Sequence, residues 1–149
     1  MENSEAFQEI FKELISEVDC KRSKLPQLLG IEYDVFTKIV EYGRLPKPVI
    51  LVRIADYFDV SLEYLLGRTP DRCFIRSEEN KTFHERYEAL KAENGWTDYV
   101  IAQKLHVFTS YTTNWRKKKY IPSLNNLLYL SEHFGVTLDY LLGRTEYRD

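Results

Sequence analysis

The chain has 149 residues, of which 44% are hydrophobic and 30% charged, and its formal net charge is −2. This composition is typical of a folded protein, and it excludes both an intrinsically disordered chain and an all-over basic surface for nucleic acid. Cys20 and Cys73 lie far apart, which excludes a disulfide framework and a C-x-x-C zinc module. We expect a cytoplasmic protein, because the N-terminus lacks the hydrophobic segment of an export signal and no apolar run approaches the length of a membrane span.

An internal repeat organises the chain. The segment FDVSLEYLLGRT, which starts at Phe58, returns as FGVTLDYLLGRT from Phe134, at an offset of 76 residues. The same offset aligns residues 7–69 with residues 83–145 without a gap, and eighteen of these 63 pairs are identical. Apolar residues recur every three or four positions in both copies, and no segment alternates with period two. We therefore predict an all-α protein of two tandem five-helix domains, residues 1–69 and 83–149, joined by a linker over residues 70–82.

The first copy departs from this plan in its second and third helices. Pro26 stands where the second copy has Ala102, so we predict that helix two begins late, with Ser23 as its N-cap. Helix three has an apolar inner face. Its outer face has a formal charge of −1 and carries Asp34, Thr37, Lys38 and Glu41. Carboxylates on this face would repel phosphates, so a DNA-reading surface here is weakened or lost.

Some of the first copy's polar residues still suit a secondary contact with DNA. Lys21, Arg22 and Lys24 cluster just before helix two, where a helix N-terminus also favours phosphate. Thr37 and Lys38 leave open the alternative that this copy reads a different base sequence.

The helices of the second copy have clear start and stop signals. Helix one is expected to end near Gly95, and Thr97 is a good N-cap for helix two. A tight turn over 106–108 leads into helix three, which we predict over 109–118. Ser123 is the expected N-cap of helix four, and Thr137 that of helix five.

Helix three of the second copy has a short polar face. At 100° per residue, the residues that share this face are Ser110, Thr113, Asn114 and Lys117, with a formal charge of +1. Hydroxyl and amide groups suit the edges of base pairs in a major groove, and Asn pairs bidentately with adenine. The basic residues that follow would lie near the flanking phosphates: Arg116, Lys117, Lys118 and Lys119. The pattern favours DNA binding over a solvated helix face, because helix, turn, polar face and basic run occur together.

The two copies resemble the helix-turn-helix domain of the Cro/CI-type, or XRE, family of bacterial and phage regulators. The similarity is greatest in VSLEYLLGRT/VTLDYLLGRT and in TTNWRKKKYIPSLNNLLYLSEHFGV, residues 112–136. The resemblance implies a lambda-repressor-like fold in which helix three enters the major groove. It implies base contacts by Thr109, Ser110, Thr113 and Asn114. It also implies backbone contacts by Asp98 at the head of helix two and by Lys117, Lys118 and Tyr120 after helix three.

The chain departs from the family pattern at three positions. His106 replaces a glycine at the end of helix two, and we expect it to adopt the left-handed conformation. Phe108 replaces the usual Ser or Thr cap of helix three, so Thr109 or Ser110 is expected to cap instead, as Asp34 would in the first copy. Tyr42 and Lys118 stand where the family usually has a left-handed glycine.

These features predict a sequence-specific regulator of transcription, most simply a repressor, with double-stranded DNA as its partner. The alternative is a protein-interaction module that kept the fold and lost DNA, such as an antirepressor, an antitoxin-like partner or an inhibitor. A homodimer through helix five is left open, because the chain is rich in aromatic residues. We predict no enzymatic activity, cofactor, metal or small-molecule ligand, since His84, His106 and His133 lie on separate elements without a nucleophile or paired carboxylate.

Overall fold

The computed structural model describes residues 3–79, 81–118 and 120–149, without the side chain of Lys118. These residues form ten α-helices and no β-strand, so the prediction of an all-α protein is confirmed. Contacts between residues divide the chain into two compact units, Met1–Phe74 (unit 1) and Ile75–Asp149 (unit 2).

Unit 1 folds around the apolar face of its first helix. Its helices are α1 (Glu5–Ser16), α2 (Leu25–Leu29), α3 (Tyr33–Tyr42), α4 (Pro48–Phe58) and α5 (Leu62–Leu65). Phe7, Phe11 and Leu14 of α1 are fully buried, and α1 packs against α3 and α5. The ring of Phe36 on α3 meets that of Phe11 edge-on, with centroids 5.7 Å apart. Burial of these large side chains is the main force that holds the short helices together.

Pro26 shapes the start of α2, as the sequence predicts. A 3-10 turn over Arg22–Lys24 precedes this helix, and Pro26 lies in its first turn, where the missing N–H is harmless. The predicted late start of the helix is therefore confirmed. The prediction of Ser23 as N-cap is wrong, because Ser23 lies inside the 3-10 turn and Lys24 occupies the cap position without a side-chain hydrogen bond.

Three of the helices of unit 2 repeat those of unit 1 at the same offset. Its helices are α6 (Phe83–Asn94), α7 (Asp98–Leu105), α8 (Thr109–Lys118), α9 (Leu124–Phe134) and α10 (Leu138–Leu141). Adding 76 to the bounds of α3, α4 and α5 gives those of α8, α9 and α10. The predicted N-caps Thr97, Ser123 and Thr137 are confirmed, since each side chain accepts a backbone N–H of its helix. The local sequence signals are therefore sufficient to start these three helices.

Two of the left-handed turns use a glycine in one unit and another residue in the other. Gly30 (φ 69°) aligns with His106 (φ 56°), and Gly135 (φ 68°) aligns with Asp59 (φ 55°). The left-handed conformation predicted for His106 is thus confirmed. Tyr42, which stands where the family usually has a left-handed glycine, ends α3 in helical conformation, and the following Gly43 is left-handed (φ 66°).

The repeated tail LLGRT has the same role in both units. Arg68 forms an ion pair with Glu63 at 3.2 Å, and Arg144 forms one with Asp139, which is buried. The backbone N–H of each arginine also donates to the carbonyl of the same acidic residue at 2.8 Å. The acid and the arginine five residues later therefore close the last helix of each unit.

The segment predicted as a linker makes ordered contacts within each unit. Arg72 forms two hydrogen bonds with Glu17 in unit 1. In unit 2, Thr145 Oγ1 donates to the Ile75 carbonyl at 2.8 Å, and the Ser77 N–H donates to the Arg144 carbonyl at 2.8 Å. The domain boundaries given by the sequence remain a prediction, while parts of residues 70–82 belong to the two units.

Candidate nucleic-acid interface

In unit 2, α7 and α8 are joined by a tight turn. Thr97 Oγ1 accepts the Val100 N–H at the start of α7, and His106 ends this helix in left-handed conformation. The Val107 N–H donates to the Ala102 carbonyl at 3.0 Å, which satisfies one of the last carbonyls of the helix. The helix α8 begins one residue after Phe108, so Thr109 and Ser110 both lie within its first turn.

Helical periodicity places Thr112 and Trp115 on the face of α8 opposite the polar one, together with Tyr111 and Arg116, and the burial of these four side chains differs: Tyr111 is 51% exposed and Arg116 is 49% exposed. Thr112 and Trp115 are buried, with exposures of 0% and 5%, and the Trp115 ring meets the Tyr87 ring edge-on. The residues predicted to read bases all remain accessible: Thr109 and Ser110 are exposed, while Thr113 and Asn114 are half-buried. Lys117 on the same face is exposed. The helix thus presents hydroxyl, amide and ammonium groups to solvent and keeps its large ring inside.

The buried hydroxyl of Thr112 connects α8 to the start of α7. Its Oγ1 lies 3.1 Å from the Asp98 carbonyl oxygen and 2.9 Å from the Thr109 carbonyl oxygen. A buried hydroxyl is stable only when it is hydrogen-bonded, so this contact fixes the position of one helix relative to the other. The sequence pattern places Thr112 on the inner face but does not show this contact.

Asp98 lies at the centre of a polar cluster, and its side chain is only partly accessible. One carboxylate oxygen accepts from Lys91 Nζ at 2.6 Å and from the Tyr87 hydroxyl at 3.2 Å. The other oxygen is 3.1 Å from Arg116 Nε. The Asp98 side chain is only 16% exposed and both of its oxygens are engaged, so this geometry does not favour the phosphate contact that the family resemblance implies. In the structure, Asp98 binds two cations and a tyrosine hydroxyl.

The cluster has electrostatic consequences for its neighbours. Burial, followed by the negative charge of Asp98, raises the pKa of Tyr87 well above its ordinary value of 10.0. Lys91 is buried and also contacts Glu88 at 2.9 Å, so its charge is balanced by two carboxylates. Arg116 is held at one side by Asp98, while its side chain is 49% exposed. The guanidinium is therefore positioned by the protein and still accessible from solvent.

The other residues predicted to contact phosphate follow along the chain. Lys117 and Tyr120 are exposed. The Lys118 side chain and all of Lys119 lie outside the described residues. Phe108, which the sequence suggests only as a missing cap, is 78% exposed, more than any other large apolar side chain that the structure describes. An apolar ring at the start of α8 suits contact with a thymine methyl group.

In unit 1, acidic residues pair with cations on and near α3. Lys38 forms an ion pair with Asp34 at 3.0 Å, and Arg22 lies 3.8 Å from Glu41. The Thr37 hydroxyl donates to the backbone of its own helix. Lys21 and Lys24 are exposed. The secondary candidates are thus present at the surface, but two of the cations are already close to a carboxylate.

The predicted late cap of helix three does not form in unit 1. Asp34 is the second residue of α3, and Glu32 holds the cap position without a side-chain hydrogen bond. Asp34 reaches Lys38 four residues on instead of the helix start. The expectation of a late cap at Asp34 is therefore wrong.

Comparison of the two copies reveals a signal that the sequence analysis missed. Where unit 2 has Lys91, Asp98 and Arg116, unit 1 has Ile15, Arg22 and Val40 at the aligned positions. Two apolar residues are thus replaced by cations, and one cation by an acid. These three differences between the copies occur together, as expected when the two cations and the acid bind one another.

Comparisons with protein-family models, curated proteins and solved structures give no match to this chain. No helix in the described part of the chain combines the length and apolar character needed to cross a membrane. Within residues 3–79, 81–118 and 120–149, no group of three or more His, Cys, Asp or Glu side chains is arranged to hold a metal ion.

Proposed function

We propose that this protein is a sequence-specific double-stranded DNA-binding regulator of the Cro/CI type, and that it acts as a transcriptional repressor. In this proposal its two units are tandem five-helix, lambda-repressor-like helix-turn-helix domains. Unit 2 reads the DNA sequence through α8, which lies in the major groove. Unit 1 supports binding or makes a weaker second contact.

The observation that carries the proposal is the accessible polar face of a helix whose opposite face is firmly anchored. Ser110 is exposed and Thr113 and Asn114 are half-buried, while Thr112 and Trp115 attach α8 to the core. A base-reading helix needs both properties, because side chains must reach base edges from a fixed orientation.

Arg116 and Lys117 are the phosphate contacts that the proposal favours. Asp98 orients Arg116 from one side, and a guanidinium with several donors can bind a phosphate while keeping that partner. Lys117 is exposed, and it forms no ion pair with another described residue. Asp98 therefore acts in this proposal by positioning Arg116, and it does not touch DNA.

Binding to DNA is tested by selecting duplexes from a random pool with the full chain, followed by titration of the selected site. Asn114→Ala is expected to relax preference at one base pair and to cost about 1–3 kcal/mol of binding free energy. The matched control is Lys38→Ala, the aligned residue of unit 1, which is expected to change affinity much less. Equal losses from the two variants would contradict the assignment of base reading to unit 2.

Salt dependence separates phosphate contacts from other effects. Lys117→Ala is expected to lower the slope of log affinity against log salt by about 1. Lys12→Ala removes an exposed cation of α1 and is expected to leave that slope unchanged. If the chain has negligible affinity for duplex DNA even at low salt, the alternative holds, in which the protein is an interaction module without DNA binding.

A further inference from the structure

Unit 1 contains a cavity of about 450 Å³ beside the outer face of α3. It is bounded by the turn between α2 and α3, by α3, by the loop that follows α3, and by α4. The apolar side chains that line it come from all of these segments: Ile31, Val35, Leu45, Pro46 and Ile50. Its volume is within the range typical of small-molecule sites, about 300–1,000 Å³.

Cationic side chains surround this apolar lining. The four that border the cavity are Lys38, Arg44, Lys47 and Arg53, and the only carboxylate among the lining residues is Glu32. Lys38 is partly neutralised by Asp34 at 3.0 Å. The Arg53 guanidinium donates a hydrogen bond to the Gly30 carbonyl at 3.0 Å, and both residues line the cavity. The Arg44 Nε is buried and forms no hydrogen bond within the described part of the chain.

Unit 2 serves as an internal comparison. The residues aligned with the four cations are all uncharged: Asn114, Tyr120, Ser123 and Tyr129. The aligned proline, Pro122, is the same, and Leu45 is replaced by the similar Ile121. The fold of the repeat therefore does not require cations at these positions. Their concentration around the unit 1 cavity is a property of this copy alone.

We propose that this cavity binds a small organic anion with an apolar body, such as an aliphatic or aromatic carboxylate. The apolar lining would receive the body, and Lys47, Arg44 and Arg53 would bind the charged group. A phosphate backbone would use the cations but leave the apolar lining without a partner, so a small amphipathic ligand fits the site better than DNA. The inference does not depend on DNA binding by unit 2, although it would give the protein a ligand-sensing unit.

The test uses 8-anilino-1-naphthalenesulfonate, a fluorescent amphipathic anion, titrated into the full chain. The variant Lys47→Ser/Arg53→Tyr places the unit 2 residues at two of the cationic positions. Loss of both charges at the binding site is expected to weaken the dye by about tenfold or more. The matched control, Lys12→Ser/Lys21→Ser, removes two exposed cations of unit 1 that do not line the cavity, and it is expected to bind as the parent chain does. Circular dichroism checks that all variants are folded.

The uncharged analogue N-phenyl-1-naphthylamine tests the role of the anion. It is expected to bind weakly to the parent chain and equally to Lys47→Ser/Arg53→Tyr. Decanoate is expected to displace the anionic dye. The proposal is overturned if both double variants lose affinity equally or if neither does. It is also overturned if duplex DNA or an acidic peptide displaces the dye while decanoate does not, since the surface would then belong to a macromolecular partner.

Discussion

Replacing Asp98 by Asn tests whether the polar cluster of unit 2 holds the helix-turn-helix together. The substitution keeps the size of the side chain and removes its charge. Lys91, with a side chain only 9% exposed, is left with Glu88 as its remaining carboxylate. Arg116 is 49% exposed and can be solvated, so its loss of a partner costs little.

The size of the effect follows from the burial of these groups. Breaking a fully buried ion pair lowers the free energy of unfolding by about 3–5 kcal/mol. The effect is expected to be smaller here, because the site is partly solvated and asparagine still accepts a hydrogen bond. Asp98 is also the first residue of α7, where an anion adds about 0.3–1 kcal/mol. We therefore expect Asp98→Asn to lower the free energy of unfolding of unit 2 by about 2 kcal/mol. For a unit of this size, that corresponds to a decrease in Tm of about 8–16 °C.

Tryptophan fluorescence during urea unfolding is a specific assay for this unit. The two tryptophans of the chain, Trp96 and Trp115, both belong to unit 2. Lys91→Met should restore much of the stability that Asp98→Asn removes, with a coupling energy of about 1–3 kcal/mol in a double-mutant cycle. Glu88→Gln, which changes only the more exposed partner of Lys91, should cost less than about 0.5 kcal/mol. Additive effects of Asp98→Asn and Lys91→Met would refute the reasoning.

Three further substitutions in unit 2 test other contacts by the same assay. Thr112→Val keeps the volume of the buried side chain and removes the hydroxyl's contacts with the Asp98 and Thr109 carbonyls, so it should cost about 1–2 kcal/mol. Thr113→Val should stay within about 0.5 kcal/mol, and similar losses from the two variants would contradict a role for the buried hydroxyl. His106→Gly should stabilise unit 2 by up to about 1 kcal/mol, because glycine adopts the left-handed conformation without strain. His106→Ala should not stabilise the unit, and a gain from both variants would point to a cause other than backbone conformation. The pKa of Tyr87 is raised in the folded chain, so above pH 10.0 the unfolded chain releases this proton more readily than the folded chain does. The contribution of Tyr87 to the free energy of unfolding is therefore fully present below pH 10.0 and is lost as the pH rises further. The stability of Tyr87→Phe should consequently fall less steeply above that pH than that of the parent chain, and parallel curves would show that this ionisation does not matter.

The helices of the candidate site could be predicted because their signals are local. The bounds of α8 match the prediction at both ends, and the capping hydroxyls act within three residues of their own position. The left-handed conformation of His106 was predicted from the glycine that the family usually has at the end of helix two, and a histidine tolerates that conformation. The burial of Trp115 and the exposure of Ser110 and Lys117 also follow from helical periodicity, whereas the exposure of Tyr111 on the opposite face depends on packing.

The partners of Asp98 could not be predicted in the same way. Lys91, Asp98 and Arg116 lie on three different helices, and their approach depends on how α6, α7 and α8 pack. The family resemblance suggested phosphate as the partner of Asp98, and the structure has two cations and a tyrosine hydroxyl there instead. In unit 1, Ser23 was predicted to cap a helix, but the 3-10 turn before Pro26 displaced the cap position by one residue.

The order of the helices, their caps and the accessible face of α8 were determined by the sequence by itself, because hydrogen bonds and side-chain spacing within one helix depend on near neighbours. Tertiary structure alone decided that Asp98 is enclosed by cations and that a cationic cavity forms beside α3. Both features join residues distant in the chain, and the free energy of a charged group depends on the burial and the partners that only packing provides.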